Sequence, residues 1–314
     1  MIDQLKECTL CPRECKVDRA HGAVGFCGCN DKLKIARAAL HFWEEPCLSG
    51  DRGSGAVFFS GCGLGCVFCQ NYDISAKCFG KEIAPHALAQ IFLRLQAQGA
   101  FNINLVTPTQ YVYQIIEALE IARKSGMDLP VIYNTSGYEK KQTIELLKGY
   151  VDVYLPDFKY ICSDFAGKYS NAPDYPQVVK IALEAMVNQV GPCVFDDNGI
   201  IQKGVIVRHL ILPGTTVQSK KIIEYLYKKY GDSIFISIMN QYTPFGKIEN
   251  YRELQRKITK KEYDCVLNYA LDLGIENGFI QEGGTAKESF IPPFDLTGVE
   301  DVHCQNENDK NNPQ

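Results

Sequence analysis

Residues 62–69 read Cys-Gly-Leu-Gly-Cys-Val-Phe-Cys. They place Cys62, Cys66 and Cys69 within one short loop, with three residues and then two between the thiols. Closely spaced cysteine thiolates are the usual ligands of iron–sulfur clusters. Three ligands leave one iron of a 4Fe–4S cluster without a protein ligand, and an open coordination position is what a catalytic metal site requires. Gly61, Gly63 and Gly65 allow the tight turns, Val67 and Phe68 help exclude water, and the strand-like run at 56–60 delivers the loop from a rigid element. Zinc or three unconnected buried thiols are the alternatives. Zinc wants four ligands, and no fourth Cys or His lies in the loop.

The Cys-x3-Cys-x2-Cys loop resembles the signature of the radical S-adenosylmethionine (radical SAM) superfamily. With Gly53-Ser-Gly-Ala-Val-Phe-Phe-Ser-Gly-Cys62 before it and Cys69-Gln-Asn71 after it, the segment is similar to the pyruvate formate-lyase activating enzyme-like branch. The resemblance covers roughly residues 8–285. It implies a 4Fe–4S cluster on Cys62, Cys66 and Cys69, with SAM as co-substrate. One electron from the cluster would cleave the sulfonium to methionine and a 5′-deoxyadenosyl radical, which abstracts hydrogen from a substrate C–H bond. A flavodoxin- or ferredoxin-type electron donor is the implied partner, and a glycyl-radical protein is the implied substrate class.

The 314 residues are enough for one large α/β domain and a small extension. Net charge is −4 and no basic run occurs, which argues against nucleic acid or an anionic membrane as partner. The start, Met-Ile-Asp-Gln-Leu-Lys-Glu-Cys8, lacks the apolar core of a signal peptide, and no apolar stretch reaches membrane-spanning length. The 14 cysteines cluster at 8–29 and 62–69, which fits metal ligation in a reducing cytoplasm better than a disulfide framework.

Residues 1–50 form the expected Cys-rich N-terminal extension. Cys8, Cys11, Cys15 and Cys27 can close a tetrahedral site, with Cys29 as an alternative fourth ligand. Pro12, Gly22, Gly25 and Gly28 suit a loop-rich knuckle that a metal must hold together. Zinc and a second iron–sulfur cluster both fit this spacing. The Cys-Pro-Arg-x-Cys start also looks like the N-terminal element of the activating-enzyme-like branch. Residues 33–47 are dense in functional groups, with His41, Trp43, Glu44, Glu45 and Cys47. A site-lining role there competes with that of satisfied structural residues. Gly50, Gly53 and Gly55 read as a turn.

Beyond the loop, strand and helix patterns alternate. Strands are expected at 101–106, 131–134, 151–155, 205–212, 234–239 and 278–281. Helices are expected at 85–98, 111–125, 178–190 and 217–230. Ser136-x-x-Glu139 and Thr259-x-x-Glu262 read as capping boxes, and Asp196-Asp-Asn-Gly199 as a hairpin turn. About six βα units over 51–285 imply a parallel sheet, and the resemblance implies an incomplete (β/α)6 barrel. Residues 286–314 are expected to be a polar, disordered tail, rich in Asn and Asp from about 299.

In such sheets the chemistry sits at the C-terminal strand ends, and polar groups concentrate there. The ends carry Thr107, Thr109 and Gln110, then Asn134-Thr135, Asp157-x-Lys159, Arg208 and Asn240-Gln241. Asp157-x-Lys159 looks like the Asp-x-Lys element of glycyl-radical activating enzymes, which implies that Lys159 contacts the SAM carboxylate and Asp157 supports a polar network. Asn134-Thr135 is similar to that family's Asp-Thr pair, with the charge lost, and Arg208 to its Arg-containing strand end. Gln241 falls near a ribose-contacting position. The superfamily's Gly-Gly-Glu-Pro is absent, and Thr107, Thr109 and Gln110 stand there as oxygen acceptors, with Thr107 and Thr109 also readable as helix caps. An enzyme acting on a small molecule or another macromolecule, and a non-catalytic metal protein on this fold, are the rival readings.

Overall fold

The computed structural model describes residues 2–281 and 291–300. Strand β1 (Lys34–His41) folds back antiparallel onto β2 (Ser54–Phe59), with the short helix α1 (Pro46–Ser49) in the connection. Gly50 and Gly53 take positive φ there, as a turn requires. Helix α2 (Tyr72–Ser75) and strand β3 (Lys81–Glu82) follow the cysteine loop.

The repeating part then begins. It runs α3 (Pro85–Ala97), β4 (Ile103–Val106), α4 (Val112–Lys124), β5 (Val131–Thr135), α5 (Lys141–Leu146) and β6 (Val153–Pro156). Two helices follow β6, α6 (Ser163–Ser170) and α7 (Tyr175–Val190). The hairpin β7 (Val194–Phe195) and β8 (Ile201–Leu210) leads to α8 (Thr216–Tyr230), β9 (Phe235–Met239), α9 (Lys260–Asp272) and β10 (Gly278–Ile280).

The strand order is β10-β9-β8-β6-β5-β4-β2-β1-β3, with β7 appended to β8. Every pairing from β2 through β10 along this path is parallel. Among the described residues β10 and β3 do not pair, so the sheet is a barrel left open. This is the expected (β/α)6 arrangement, with β10 as a further edge strand and β1 and β3 as an antiparallel flank. Strands β2, β4, β5 and β6 are buried at every position, as a parallel sheet under helices must be. Helix α3 turns Ala87, Leu88, Ile91, Phe92 and Leu95 inward, and α4 turns Ile115, Ile116, Leu119 and Ala122 inward. Each large side chain so buried contributes about 1.5–3 kcal/mol relative to exposure.

The box at Thr259 forms, with Glu262 closing it. The turn at 196–199 forms as well, and Asp196 accepts from the amides of Asn198 and Ile200. The box at Ser136 does not form. Helix α5 starts five residues later with no side-chain cap, and the Glu139 side chain turns inward to accept from Thr109 Oγ1 (2.6 Å) and Thr135 Oγ1. Pairing with two strand-end hydroxyls inside the barrel displaces the local cap. The expected disorder of 286–314 fails for 291–300. There Leu296 N donates to Ala36 O, Ala38 N donates to Thr297 O, Arg37 pairs with Asp295, and Val299 is fully buried. Phe294 packs edge-on against Phe58, so apolar side chains dock a segment whose average composition is polar. The remainder of that expectation, 282–290 and 301–314, lies outside the described residues. No described helix is long and apolar enough to cross a membrane.

Burial lifts the Glu139 carboxyl to about 7, against the hydrogen bonds from Thr109 and Thr135. A carboxyl whose folded pKa is raised binds more protons in the native state, so its contribution to stability falls as pH rises from about 4.5 to about 7. Glu139→Gln keeps an acceptor and removes the charge. Its urea-unfolding stability relative to wild type should improve by about 2 kcal/mol between pH 5.5 and pH 8. An unchanged difference between the two pH values would show that Glu139 is not titrating there.

Candidate active site

The C-terminal ends of the parallel strands surround a cavity of about 230 Å³. Cys62, Cys66 and Cys69 all line it, and each sulfur has its own donor. Leu64 N points at Cys62 Sγ (3.4 Å), Ser170 Oγ at Cys66 Sγ (3.1 Å) and Ser75 Oγ at Cys69 Sγ (3.2 Å). Hydrogen bonds to cysteine sulfur are one of the means by which proteins tune iron–sulfur clusters. Burial raises the Cys62 thiol to about 12 and the Cys69 thiol also, and the neighbouring thiols add to both shifts. Such thiols ionise only when a cationic centre repays the cost. The residues present therefore fit a cluster held on three sulfurs.

The loop's backbone is held by side chains far away in sequence. Arg13 donates to Gly63 O (2.8 Å) and Leu64 O (2.9 Å), and to Ser170 O and Asn171 O at the end of α6. Its guanidinium stacks over Phe26 at 3.9 Å. Gln110 donates to Ser60 O, Gly61 O and Thr107 O at 2.8–3.1 Å. Phe68 anchors the far end edge-on against Tyr169 and Tyr242. Gly61 has no freedom to carry a side chain. A Cβ there would stand 2.1 Å from Cys29 Sγ, and φ is +87°.

Opposite the thiols is a wall of paired charges. Arg208 donates to Asn134 Oδ1 (2.6 Å), Asp157 Oδ1 (3.1 Å) and Glu44 Oε2 (3.2 Å). Lys159 Nζ meets Asp157 Oδ2 at 2.5 Å. Asn104 and Asn134 amides reach Glu44 Oε1. Burial alone would raise Asp157, but Lys159 and Arg208 outweigh it and hold the carboxyl below its usual range. Tyr175 fixes the strand end by donating to Ser136 O and Asp157 O and accepting from Lys159 N.

Thr107, Asn134, Thr135, Asp157, Lys159, Arg208 and Gln241 all line this one cavity with the three cysteines. Thr109 and Gln110 do not. Thr109 is committed to Glu139 and Gln110 to backbone carbonyls. Neither Thr107 nor Thr109 caps a helix, since α4 begins after a 3-10 turn at Thr109–Tyr111. His41, Trp43 and Glu44 reach the cavity, Glu45 borders a neighbouring pocket, and Cys47 is buried in a separate apolar cluster. Sequence reading missed Arg13, Ser75, Ser170 and Tyr175, whose roles depend on contacts 6 to 158 residues away in the chain. It also missed Ile291 and Pro292, which line the cavity from the segment expected to be disordered. Cys8, Cys11, Cys15 and Cys27 surround a second, smaller cavity that shares Cys62, Thr107 and Ser136 with the first.

A family model described as the radical SAM superfamily matches residues 56–226. The chain is 31% identical over 284 residues to the uncharacterized protein MJ0674 of Methanocaldococcus jannaschii, covering 85% of this chain and 76% of that one. It is 30% identical over 113 residues to the pyruvate formate-lyase-activating enzyme of Clostridium pasteurianum, covering 34% of this chain and 46% of that enzyme. Among solved structures, Streptococcus suis SuiB bound to precursor peptide SuiA is similar with a TM-score of 0.47 and 13% identity, over 70% of this chain and 46% of that one.

The charge wall carries its own test. Arg208→Met leaves Asp157 and Glu44 without their shared cation in a site where the arginine side chain is only 15% exposed. Removing one partner of a buried pair costs about 3–5 kcal/mol. Urea unfolding should register that loss, and adding Glu44→Gln to Arg208→Met should recover part of it. A double variant no more stable than the single one would mean that Glu44 does not depend on Arg208.

Proposed function

This chain belongs to the radical SAM superfamily, and from that premise we propose that it works as an activase-like enzyme which takes hydrogen from a protein backbone. Membership makes it an enzyme that uses a 4Fe–4S cluster and SAM. When bound, the cluster supplies the electron that splits SAM into methionine and a 5′-deoxyadenosyl radical. Cys62, Cys66 and Cys69 would hold it, with Leu64 N, Ser170 and Ser75 donating to the sulfurs.

The other roles belong to the polar wall. Lys159 offers a compact positive charge for the SAM carboxylate. Asp157 and Arg208 hold that ammonium in place and keep the wall close to electrically balanced. Thr107, Ser136 and Gln241 offer polar groups around the rest of the cavity, and Phe58, Phe59, Leu64 and Met239 give it an apolar lining. Such a lining excludes water from a reactive radical.

What supports the activase reading most is the pairing of the Asp157-x-Lys159 strand end with the partial likeness to the Clostridium pasteurianum activating enzyme. The segment between Cys69 and β4 adds to it. That segment holds only α2, β3 and α3, with Cys78 as its sole further cysteine, so it carries no ferredoxin-like insert. The open side of the barrel would admit an extended loop of a partner protein. A radical SAM enzyme acting on a small molecule or another macromolecule is the second reading, favoured by the absence of Gly-Gly-Glu-Pro.

Anaerobically reconstituted protein given dithionite and SAM should yield 5′-deoxyadenosine, and Ala at Cys62, Cys66 or Cys69 should abolish it. Lys159→Ala should weaken SAM binding by about 2–5 kcal/mol in equilibrium dialysis, as expected for one lost partner of a shielded charge contact. Exposed Lys228→Ala should leave binding unchanged. Equal losses would place SAM elsewhere.

The substrate reading is tested by electron paramagnetic resonance. Reduced enzyme with SAM and a candidate glycyl-radical protein should give a glycyl doublet, with one 5′-deoxyadenosine formed per radical. SAM cleavage that never transfers a radical to any such protein favours the second reading.

A further inference from the structure

We propose that Cys8, Cys11, Cys15 and Cys27 ligate a thiolate-bound metal centre, separate from the one on Cys62, Cys66 and Cys69, with buried Arg19 as its compensating cation. The four side chains come from a segment with almost no regular structure and still line one cavity. A short backbone ladder brings Cys8, Cys11 and Cys15 together. Cys8 N donates to Val17 O, Lys16 N to Cys8 O, and Glu14 N to Cys11 O. Glu14 and Lys16 both take positive φ to make these turns. Two glycines make room for sulfur. A Cβ on Gly25 would stand 2.6 Å from Cys15 Sγ, and one on Gly63 would stand 3.4 Å from Cys11 Sγ.

Arg19 is the observation that asks for charge. It is only 1% exposed. It donates to the carbonyls of Asn30 and Gln110 and, at 3.7 Å, to Cys8 Sγ. It lines the same cavity as Cys8, Cys11, Cys15 and Cys27. A buried guanidinium needs a negative partner, and carbonyls and neutral thiols do not supply one. Thiolates do. Four thiolates alone would repel each other, whereas four around a metal keep a smaller net negative charge that one arginine partly offsets. Among the described residues no three such side chains already converge on a single point, so ligation requires the thiols to rotate inward from the cavity lining.

The position gives the site a consequence. Arg13 lies between ligands Cys11 and Cys15 and clamps Gly63 O and Leu64 O, while Cys11 packs on Gly63 itself. A filled N-terminal site therefore braces the Cys62–Cys66 loop from outside the main cavity. Zinc and an iron–sulfur cluster share this ligand chemistry. Cys29 and Cys78 are outside the set. Cys29 donates to Cys27 O and Ser60 O, and Cys78 to Cys27 O.

The test uses the full chain with Cys62, Cys66 and Cys69 all changed to Ala, so it does not depend on SAM chemistry. Metal content is measured as purified, after Co²⁺ addition, and after reconstitution with iron and sulfide. The expected result is about one centre per chain. Zinc, or Co²⁺ with tetrathiolate charge-transfer bands, identifies a mononuclear site, and iron with matching sulfide identifies a cluster. In the same background, Ser at Cys8, Cys11, Cys15 or Cys27 should abolish retention, whereas Cys29→Ser and Cys78→Ser should keep it. Arg19→Gln should weaken metal affinity about 10–100-fold, as loss of a supporting contact does, and Arg19→Lys should restore part of it. Because the cysteine variants could fail by unfolding, the thermal midpoint of the parent is also followed with and without added metal, and metal should raise it. No metal under any condition with no thermal shift, or metal that depends on Cys29 and Cys78 instead, overturns the proposal.

Discussion

Everything at this site depends on holding an irregular, glycine-rich backbone still at the mouth of a barrel. A loop that must present three sulfurs inward cannot pair its own amides and carbonyls as a helix or strand would. Buried backbone groups left without partners are costly, so the partners have to come from elsewhere. They come from both ends of the molecule. Arg13 takes the carbonyls of Gly63 and Leu64, and Gln110 takes those of Ser60 and Gly61. Tyr169 O receives the Val67 amide, and Val67 O receives the Lys247 amide. Gly246 lies close enough to Val67 O that a Cβ would come within 2.5 Å of it. The N-terminal extension, the β4 end, α6 and the segment after β9 are thus tied to one loop.

The second constraint is charge. Arg208, Lys159, Asp157 and Glu44 bring two cations and two anions into one largely buried wall. Such a set is retained more readily for what it binds than for stability, because well-packed apolar side chains would cost less desolvation. The balance also makes the wall directional. Among the described residues Arg208 has three partners inside the wall, whereas Lys159 Nζ has one, Asp157. Lys159 retains donors for a ligand carboxylate.

The alternation of strand and helix, the open parallel sheet and the gathering of Thr107, Asn134, Thr135, Asp157, Lys159, Arg208 and Gln241 were legible because they are periodic or sit at strand ends. The failures have one physical cause, which is long-range partnership. Glu139 has the local spacing of a cap, yet Thr109 and Thr135 offer it two hydroxyls within the barrel. Residues 291–300 have a polar average, yet Phe294 and Val299 find apolar surface on β1, β2 and their neighbours. Ser75 and Ser170 look like ordinary helix serines until the fold carries them to Cys69 and Cys66. No local pattern encodes such contacts. A serine beside a sulfur three-dimensionally is indistinguishable in sequence from one facing water.

Thr107 holds an unusual backbone conformation at the end of β4, where Gly-Gly-Glu-Pro is absent. The superfamily's usual Gly-Gly-Glu-Pro would give the β4 end free access to left-handed backbone. Here Thr107 adopts φ +58° without being glycine. That conformation costs a branched residue on the order of 1–3 kcal/mol and persists only where the surroundings enforce it. The enforcement is visible. Thr107 N donates to Asn134 O on the next strand, and Thr107 O accepts from Gln110 Nε2 at 2.8 Å. The same Gln110 amide also reaches Ser60 O and Gly61 O at the start of the cysteine loop. One side chain therefore fixes both the strained strand end and the first turn of the loop. The shape that glycine would permit is imposed here by hydrogen bonds, and the strand end is coupled to the thiols it faces.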